Sequence, residues 1–364
     1  MKPIRLATTA AMALTVFAGP AAHATPPAQA DTLRDAAPGG LAIGSAVAGG
    51  GHHEDAQYPD PFTSDQPYRD VLSSEFSSLS PENQMKWEYI HPQRDTYDFE
   101  AADRIVDFAE RNVQEVRGHT LLWHSQNPDW LENGDFTPEQ LRDILHEHIS
   151  TVVGRYAGRI EQWDVANEIF DGNGQLRTQD NIWIRELGPG IIADAFRWAH
   201  EADPSAKLFF NDYGVEAINA KSDAYYELTR QLRAEGVPVE GFSAQAHLNL
   251  EDGFPADLTR NLQRFADLGL ETAITELDVR LTPPESGTPT EEQLAEQADY
   301  YARTLQACLR VRTCHSFTVW GLPDKYSWVP STFPEQGAAT IMWDDFTRKP
   351  AYHSLLDTLA AARS

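Results

Sequence analysis

The chain has 364 residues, of which 41% are apolar, enough to bury a large core in one domain or in two or three. Its formal net charge is −26, from 29 basic and 55 acidic residues, which opposes binding to nucleic acid or anionic lipid. This acidic balance is typical of a soluble extracellular protein with a neutral or weakly charged substrate.

The N-terminus has the features of an export signal. Lys2 and Arg5 precede an uncharged, mostly apolar run over residues 6–19, and small-residue cleavage sites follow at 22–24 and 28–30. The run is short for a membrane span, although a membrane anchor or a disordered tail is the alternative. We predict a signal peptide over residues 1–24, with cleavage as late as residue 30, then a linker over 25–40, and secretion of the protein.

The remainder alternates between short apolar runs and longer segments of helical period. The predicted strands are Leu41–Val47, Phe76–Leu79, Glu115–Trp123, Ile160–Asn167, Lys207–Tyr213, Gly241–His247, Glu271–Leu277 and His315–Trp320. Helices are predicted after them at 101–112, 137–156, 191–201, 222–235, 255–268, 290–308 and 351–362. Two helices begin with a capping box, at Thr137 with Gln140 and at Thr290 with Gln293.

Eight β-then-α units predict a single-domain α/β fold, a (β/α)8 TIM barrel over residues 41–362. The alternative is a doubly wound sheet, which normally carries a glycine-rich phosphate turn after its first strand. The stretch 39–51 is rich in glycine but lacks the G-x-G-x-x-G spacing. The pattern therefore favours the barrel.

In a barrel of this kind the functional groups lie at the C-terminal ends of the strands. The fourth predicted strand ends at Glu168 and the seventh at Glu276. One such glutamate is usually a cap or a surface group, but two on nearly opposite strands are the arrangement used for glycoside hydrolysis. One would hold a proton while the other is ionised.

Other strands end in aromatic and polar residues that suit a sugar. Rings stack on aromatic faces, and hydroxyls need paired donors and acceptors. Each tryptophan alone is more often a core residue than a binding platform. The residues concerned are His119, Trp123 and Gln126 after the third strand, Gln245 and His247 at the sixth, and Trp320 with Trp328 at the eighth.

The ordered set of motifs resembles glycoside hydrolase family 10 endo-1,4-β-xylanases, in particular the secreted enzymes of actinobacteria. The acid/base motif is similar to Trp163–Glu168 and the nucleophile motif to Ile274–Asp278. The other matching segments are Glu82–Lys86, Arg117–Leu121, Trp123–Gln126, Asn211–Tyr213, Gln245–His247 and Thr318–Gly321. They follow the family order over nearly the whole mature chain.

The resemblance implies a role for each matching residue. Glu168 would be the acid/base and Glu276 the nucleophile of a retaining enzyme. His247 would hydrogen-bond Glu276, Asp278 would orient His247, and Asn167 would hold the 2-hydroxyl of the sugar being cleaved. Tyr213 would face the leaving group, and the glycone side would be lined by Glu82, Asn83, Lys86, His119, Trp123, Gln126, Gln245, Trp320 and Trp328.

Two cysteines, Cys308 and Cys314, lie between the last predicted helix and strand. In an exported chain a disulfide is plausible, although their spacing alone leaves two free thiols as the alternative. The resemblance implies the disulfide, because the family carries a Cys pair at this spacing.

The sequence also departs from the family pattern. Gly214 follows Tyr213 where many members carry Asn, which puts a contact to the leaving group in doubt. The loop 49–66, with His52, His53, Glu54 and Asp55, is longer than usual; a metal site there is conceivable, but we expect a solvated loop. We therefore expect neither a metal nor an organic cofactor.

The expected partners are xylan and xylo-oligosaccharides, without nucleic acid or a membrane, and the expected state is a monomer. Two other functions stay open at this point. One is a retaining barrel glycosidase that acts on β-glucan or mannan, and the other is a non-catalytic sugar-binding protein. The second is disfavoured because both glutamates are present.

Overall fold

A computed structural model describes residues 31–285 and 287–363. Its strands are β1 (Ala42–Val47), β2 (Ser78–Pro81), β3 (Glu115–Leu122), β4 (Gln162–Asn167), β5 (Lys207–Asp212), β6 (Gly241–Ala244), β7 (His247–Asn249), β8 (Glu271–Arg280) and β9 (Cys314–Val319). All neighbouring strands are parallel, and eight of them close into a barrel because β6 pairs with β8 and β9 pairs with β1. The predicted single-domain (β/α)8 barrel is confirmed.

Helices surround the barrel. They are α1 (Leu33–Ala36), α2 (Pro61–Ser64), α3 (Gln66–Glu75), α4 (Trp87–Ile90), α5 (Glu100–Arg111), α6 (Asp129–Glu132), α7 (Pro138–Arg155), α8 (Ile182–Leu187), α9 (Ile191–Ala202), α10 (Ala220–Ala234), α11 (Leu258–Asp267), α12 (Glu291–Arg310), α13 (Val329–Thr332) and α14 (Pro350–Ala362). Single 3-10 turns lie at Gly51–His53, Leu250–Asp252 and Asp324–Tyr326.

The helix starts follow from the sequence. Both predicted capping boxes are present, at Thr137 with Gln140 before α7 and at Thr290 with Gln293 before α12. Each box satisfies backbone N–H groups at the helix start, which have no partner within the helix. The apolar stripe of α7 is buried, so this helix packs against the barrel as its period predicts.

Several element boundaries differ from the prediction. The weak second strand begins at Ser78, two residues later than expected, and α11 begins at Leu258 rather than Pro255. The predicted sixth strand, 241–247, is interrupted because Ala246 has a positive φ of 63°. The chain then resumes as β7, which pairs only with the distal part of β8. The helices that were not predicted are α1, α2, α3, α4, α6, α8 and α13.

The described part of the predicted linker packs against the barrel. Leu33 and Ala36 of α1 are fully buried, and the Leu33 N–H donates to Glu75 at 3.0 Å. The Arg34 guanidinium donates to the backbone carbonyl of Asn112 at 2.9 Å. Residues 31–40 are thus attached to the fold, whereas the predicted signal peptide lies outside the described residues.

Cys308, at the end of α12, and Cys314, at the start of β9, are joined in a disulfide. The pair closes a short loop between a helix and a barrel strand. Because a short loop restricts the unfolded chain only slightly, the disulfide stabilises the fold by about 2 kcal/mol.

No helix in the described ranges combines the length and the apolar character that a membrane crossing requires.

His148 of α7 is a fully buried imidazole inside the helical layer. Its ring stacks on Trp87 with a centroid separation of 3.5 Å, and its Nδ1 lies 3.4 Å from Nδ1 of His91. Burial lowers the pKa of His148 well below its usual range, and His91 lowers it further. The folded protein therefore holds this ring neutral.

We expect His148 to make the protein less stable as the pH falls. The unfolded chain takes up a proton near the ordinary histidine pKa of about 6.5, whereas the folded ring does not, so stability is full above that pH and decreases below it. His148→Gln should reduce the slope of unfolding free energy against pH in this acidic range by up to about 1.4 kcal/mol per pH unit. Urea unfolding at a series of pH values measures the slope.

The control is His146→Gln, since His146 lies on the same helix but is exposed. It should leave the slope unchanged. An equal slope for wild type and His148→Gln would contradict the buried neutral imidazole.

Candidate active site

The C-terminal ends of the strands surround a cleft with a volume of about 610 Å³. Thirteen of the fifteen residues expected at the site line it: Glu168, Glu276, His247, Glu82, Asn83, Lys86, His119, Trp123, Gln126, Tyr213, Gln245, Trp320 and Trp328. Asn167 and Asp278, the other two, lie behind this surface and are buried. The tertiary structure therefore brings the predicted set together.

Glu276 lies at the centre of the cleft on β8 and is only 4% exposed. Its Oε1 accepts a hydrogen bond of 2.7 Å from Nδ2 of Asn211. The amide of Asn211 is itself oriented, because its Oδ1 accepts from the hydroxyls of Ser243 and Thr275. The second oxygen of Glu276, Oε2, lies 3.2 Å from Nε2 of His247.

His247 reaches Glu276 because β7 pairs with β8 in a register that places His247 opposite Asp278. Its Nδ1 lies 3.0 Å from Oδ2 of Asp278. The same carboxylate oxygen accepts a 2.7 Å hydrogen bond from Nε1 of Trp328. Asp278 thus orients both the imidazole and an aromatic wall of the cleft, and the expected contacts of His247 with Glu276 and Asp278 are present.

The surroundings of Glu276 and His247 shift the pKa values of these two residues in opposite directions. Burial alone would raise the pKa of Glu276, but His119 and His247, together with the Asn211 hydrogen bond, lower it to about 2. Burial would lower the pKa of His247, but Asp278 and Glu276 raise it to about 10. At neutral pH the group is therefore a carboxylate beside an imidazolium.

Glu168 lies across the cleft, directly after β4. Its backbone is left-handed, with φ 52°, and its N–H donates to the carbonyl of Asn211 at 3.0 Å. This conformation is uncommon for a residue other than glycine and turns the side chain into the cleft. Gln245 donates to Oε1 of Glu168 at 3.0 Å, and His124 Nδ1 lies 3.9 Å from Oε2. The side chain is only partly buried.

Two further buried groups support the centre from below. The Asn167 side chain lies 2.9 Å from Nδ2 of Asn211, within the amide network that also holds Glu276. Nδ1 of His119 lies 2.9 Å from Oδ2 of Asp164, and the guanidinium of Arg117 pairs with the same carboxylate. His119 is therefore fixed 4.0 Å from Oε1 of Glu276.

One end of the cleft, the predicted glycone end, is densely polar. The ammonium of Lys86 donates to Asn83 Oδ1 at 2.9 Å and to Gln126 Oε1 at 2.7 Å, and it lies 4.9 Å from the ring centroid of Trp123. Gln126 also donates to Glu88 at 2.7 Å. These partners fix the donors and acceptors before a ligand binds, which lowers the entropy lost on binding.

The loop 49–66 contradicts the expectation of a solvated segment at its start. His53 is only 2% exposed, and its Nε2 contacts Oε2 of Glu82 at 2.8 Å. Nδ1 of His52 lies 3.9 Å from the other oxygen of Glu82. The burial follows from the turn at Gly51, which places both imidazole rings against Glu82, directly after the end of β2. Residues 54–60, by contrast, are exposed.

At the other end of the cleft, the predicted leaving-group side, Tyr213 is 40% exposed. Its hydroxyl accepts from Arg177 at 3.1 Å, and the Lys221 ammonium lies 3.9 Å from its ring centroid. Gly214 has a φ of 66°, and no atom lies within 4 Å of the position that a Cβ would occupy. The glycine therefore matches a left-handed turn, which asparagine also tolerates.

Several residues of the site were not assigned a role from the sequence. Asn211 was recognised only as part of a motif, yet it contacts Glu276 directly. Arg280 packs its guanidinium 4.3 Å from the ring centroid of Phe333, and both line the cleft with His52. Arg280 lies two residues beyond Asp278 on the same strand face. The alternation of side chains along a strand could therefore have identified it as a site residue. Phe333 carried no such signal.

The chemistry open to this arrangement is that of two carboxyl groups facing each other over a cleft lined with aromatic and polar groups. Glu276 is ionised and held by three partners, so it can act as a nucleophile or stabilise positive charge. Glu168 is closer to solvent and has fewer partners, so it can exchange a proton with a bound molecule.

Comparisons with known proteins place this cleft in context. The profile described as Glycosyl hydrolase family 10 matches residues 37–358. Endo-1,4-beta-xylanase B of Thermotoga neapolitana is 42% identical over 292 residues, which is 80% of this chain and 83% of that protein. Endo-1,4-beta-xylanase A of Fusarium oxysporum f. sp. lycopersici is 40% identical over 81% of this chain and 91% of its own length.

Solved structures give the same result. Xylanase 10B of Thermotoga petrophila RKU-1, in complex with xylobiose, is 40% identical with a TM-score of 0.85, over 92% of this chain and 99% of that one. Native xylanase 10B of Thermotoga maritima is 41% identical with a TM-score of 0.83, over 91% and 98%.

The pairing of His247 with Glu276 predicts a change in the titration of that carboxyl. His247→Asn removes the imidazolium, so the pKa of Glu276 should rise from about 2 towards the ordinary value of a glutamate. Carbon-13 NMR of the glutamate carboxyl carbons measures it, with Glu276→Gln used to assign the signal. His315→Asn, at an exposed position of β9, should leave that titration unchanged. A Glu276 signal that titrates identically in His247→Asn would contradict the pairing.

Proposed function

Because the chain belongs to glycosyl hydrolase family 10, we propose that it cleaves xylan with Glu276 as the nucleophile and Glu168 as the acid/base. The chain is an endo-1,4-β-xylanase, which hydrolyses internal β-1,4-xylosidic bonds with retention of the anomeric configuration. The observation that supports the two roles is their difference in environment. Glu276 has Asn211, His247 and His119 around it, whereas Glu168 is partly exposed.

In the first step, a carboxylate oxygen of Glu276 attacks the anomeric carbon while Glu168 gives its proton to the departing glycosidic oxygen. The bond to the leaving sugar breaks, and a covalent glycosyl-enzyme forms. The transition state carries positive charge on the sugar ring. Ionised Glu276 stabilises that charge at short range in a buried site, where electrostatic interactions are strong.

In the second step, Glu168, now a carboxylate, takes a proton from a water molecule that attacks the same carbon. The ester to Glu276 breaks and the sugar leaves with its original configuration. His247 remains an imidazolium beside Glu276 and favours its departure as a carboxylate. Asp278 keeps the ring in position through both steps.

The remaining residues are proposed to bind the sugar chain. Asn167 would hold the 2-hydroxyl at the cleaved sugar, and Tyr213 would contact the leaving-group sugar. The glycone sugars would be bound by the residues assigned to that side: Glu82, Asn83, Lys86, His119, Trp123, Gln126, Gln245, Trp320 and Trp328. Fixed amides, carboxylates and an ammonium can hydrogen-bond ring hydroxyls, while the indole faces stack on the sugar.

Xylo-oligosaccharides are the ligands of this site. Export of the chain by its N-terminal signal, a monomeric state and the similarity to actinobacterial enzymes in particular stay predictions. The alternative substrates, β-glucan and mannan, have no support in the compared proteins, which are named xylanases. A purely sugar-binding role would not require the charged environment of Glu276.

The retaining mechanism predicts the configuration of the first product. Proton NMR during hydrolysis of linear xylan should show the β-anomer of the new reducing end first, before mutarotation produces the α-anomer. Glu276 attacks from the face opposite the leaving oxygen, and the water activated by Glu168 then attacks from the face that the leaving group vacated, so two inversions restore the starting configuration. An initial α-anomer would show that water attacks directly and that Glu276 is not a nucleophile.

The two glutamates should fail in different ways when truncated. Glu276→Ala cannot form the glycosyl-enzyme, so it should be inactive on every substrate. Glu168→Ala lacks only the proton donor and the later base. On an aryl xylobioside with an acidic phenol it should give a burst of phenol, then a slow steady state with a low apparent KM. Stopped-flow absorbance of the phenolate measures both phases.

Azide distinguishes the roles further, because it attacks without a general base. It should restore turnover of Glu168→Ala on the activated substrate and give a β-glycosyl azide, while xylan stays nearly uncleaved. Glu201→Ala, at an exposed position on the outer helix α9, is the matched control and should retain wild-type rates. A burst from Glu276→Ala would reverse the assignment, and ordinary activity in both active-site variants would place the site elsewhere.

A further inference from the structure

The turn after β1 brings two imidazoles and a carboxylate together at the glycone end of the cleft. His52, His53 and Glu82 each offer one ligand atom, and these atoms lie within 4.8 Å of one another. Nε2 of His53 is 2.8 Å from Oε2 of Glu82, and Nδ1 of His52 is 3.9 Å from Oε1. Nε2 of His52 is buried and has no hydrogen-bond partner in the described part of the chain.

Backbone geometry holds this cluster in place. Gly50 and Gly51 have φ values of 69° and 55°, which glycine adopts without strain. A Cβ on Gly51 would lie 3.0 Å from the Asn83 amide, closer than most Cβ atoms approach a neighbour, so the turn packs tightly against the end of β2. The Asn83 amide also donates to the carbonyl of Gly49 at 3.0 Å. The rings are therefore positioned by a packed turn.

We propose that His52, His53 and Glu82 form a binding site for a divalent transition-metal ion, with zinc as the reference ion. Two imidazoles and one carboxylate are ligands that zinc, nickel and copper accept, whereas magnesium and calcium prefer oxygen ligands. Zinc holds such atoms at about 2.0–2.2 Å, so its ligands lie roughly 3–4 Å apart. The three atoms already lie within 4.8 Å of one another, close to that spacing.

Access and charge decide whether the ion can enter. His52 and Glu82 both line the cleft, so the fourth position of the ion would face solvent or substrate. The Lys86 ammonium opposes a dication, but it is itself surrounded by the charges of Glu276, Glu82, Glu168 and Glu88. At Nε2 of His53 the ion would take the place of the hydrogen bond to Glu82, so binding exchanges that contact for coordination by both residues.

Occupancy of the site would affect sugar binding. This consequence rests on the proposed function, in which Glu82 binds a glycone sugar. A metal-bound Glu82 carboxylate can no longer accept hydrogen bonds from sugar hydroxyls in the same way, and the ion fills the space beside it. Zinc should therefore weaken substrate binding at this end of the cleft and leave Glu168 and Glu276 in place.

Calorimetric titration of the untagged full chain with zinc tests the site directly. We expect one zinc ion per chain and no heat with magnesium. His52→Ala and His53→Gln should each weaken zinc binding by about tenfold or more. His200→Ala, at an exposed position on α9, should bind zinc as wild type does. Absence of binding, or equal affinity in His52→Ala, overturns the proposal.

A thermal measurement covers the case in which His53→Gln is poorly folded. Zinc should raise the melting temperature of wild type and of His200→Ala, because a ligand of the native state stabilises it. It should raise the melting temperature of His52→Ala less than that of wild type. An equal shift in His52→Ala shows that the ion binds elsewhere and overturns the assignment.

Kinetics separate the two proposals. On xylotriose, zinc should increase KM of wild type with little change in kcat, and chelation should reverse the effect. The ratio of KM with and without zinc should be close to one in His52→Ala. If zinc binds in calorimetry but KM does not change, the metal site stands and the assignment of Glu82 to sugar binding fails. If no xylanase activity is found at all, the binding measurement still decides the metal site.

Discussion

A buried carboxylate that must stay ionised is the constraint on which this site depends. Transfer of a charge from water into a protein interior costs several kcal/mol unless partners replace its hydration. Glu276 obtains those partners from three different strands: Asn211 from β5, His247 from β7 and His119 from β3. The closed barrel places the ends of those strands around one point. The ionised state of Glu276 therefore depends on the fold.

Each of these three partners of Glu276 is in turn held in position by other buried polar residues. Asp278 fixes His247, Asp164 fixes His119, and the hydroxyls of Ser243 and Thr275 fix the Asn211 amide. These supporting residues are buried behind the surface of the cleft. They explain why the motifs around the two glutamates include buried polar side chains that a strand packed in a core would otherwise replace with apolar ones.

The two ends of the cleft differ in how firmly their side chains are held. At the proposed glycone end Lys86, Asn83, Gln126 and Glu88 form a connected network, and the turn at His53 covers Glu82. At the other end Tyr213 is 40% exposed and is followed by a glycine with no close neighbour. A sugar at the first end meets donors and acceptors that are already oriented. A sugar at the second end would meet a more open surface.

By itself the sequence determined the barrel, because strand and helix periods and capping residues are local, and it placed Glu168 and Glu276 at strand ends. The ordered motifs added the roles of His247 and Asp278 by resemblance. Only the tertiary structure decided what depends on residues far apart in the chain. It broke the sixth predicted strand at Ala246 so that His247 faces Asp278, it set Asn211 against Glu276, and it packed His53 on Glu82. Those contacts depend on strand register and loop packing, which hydrophobic periodicity does not encode.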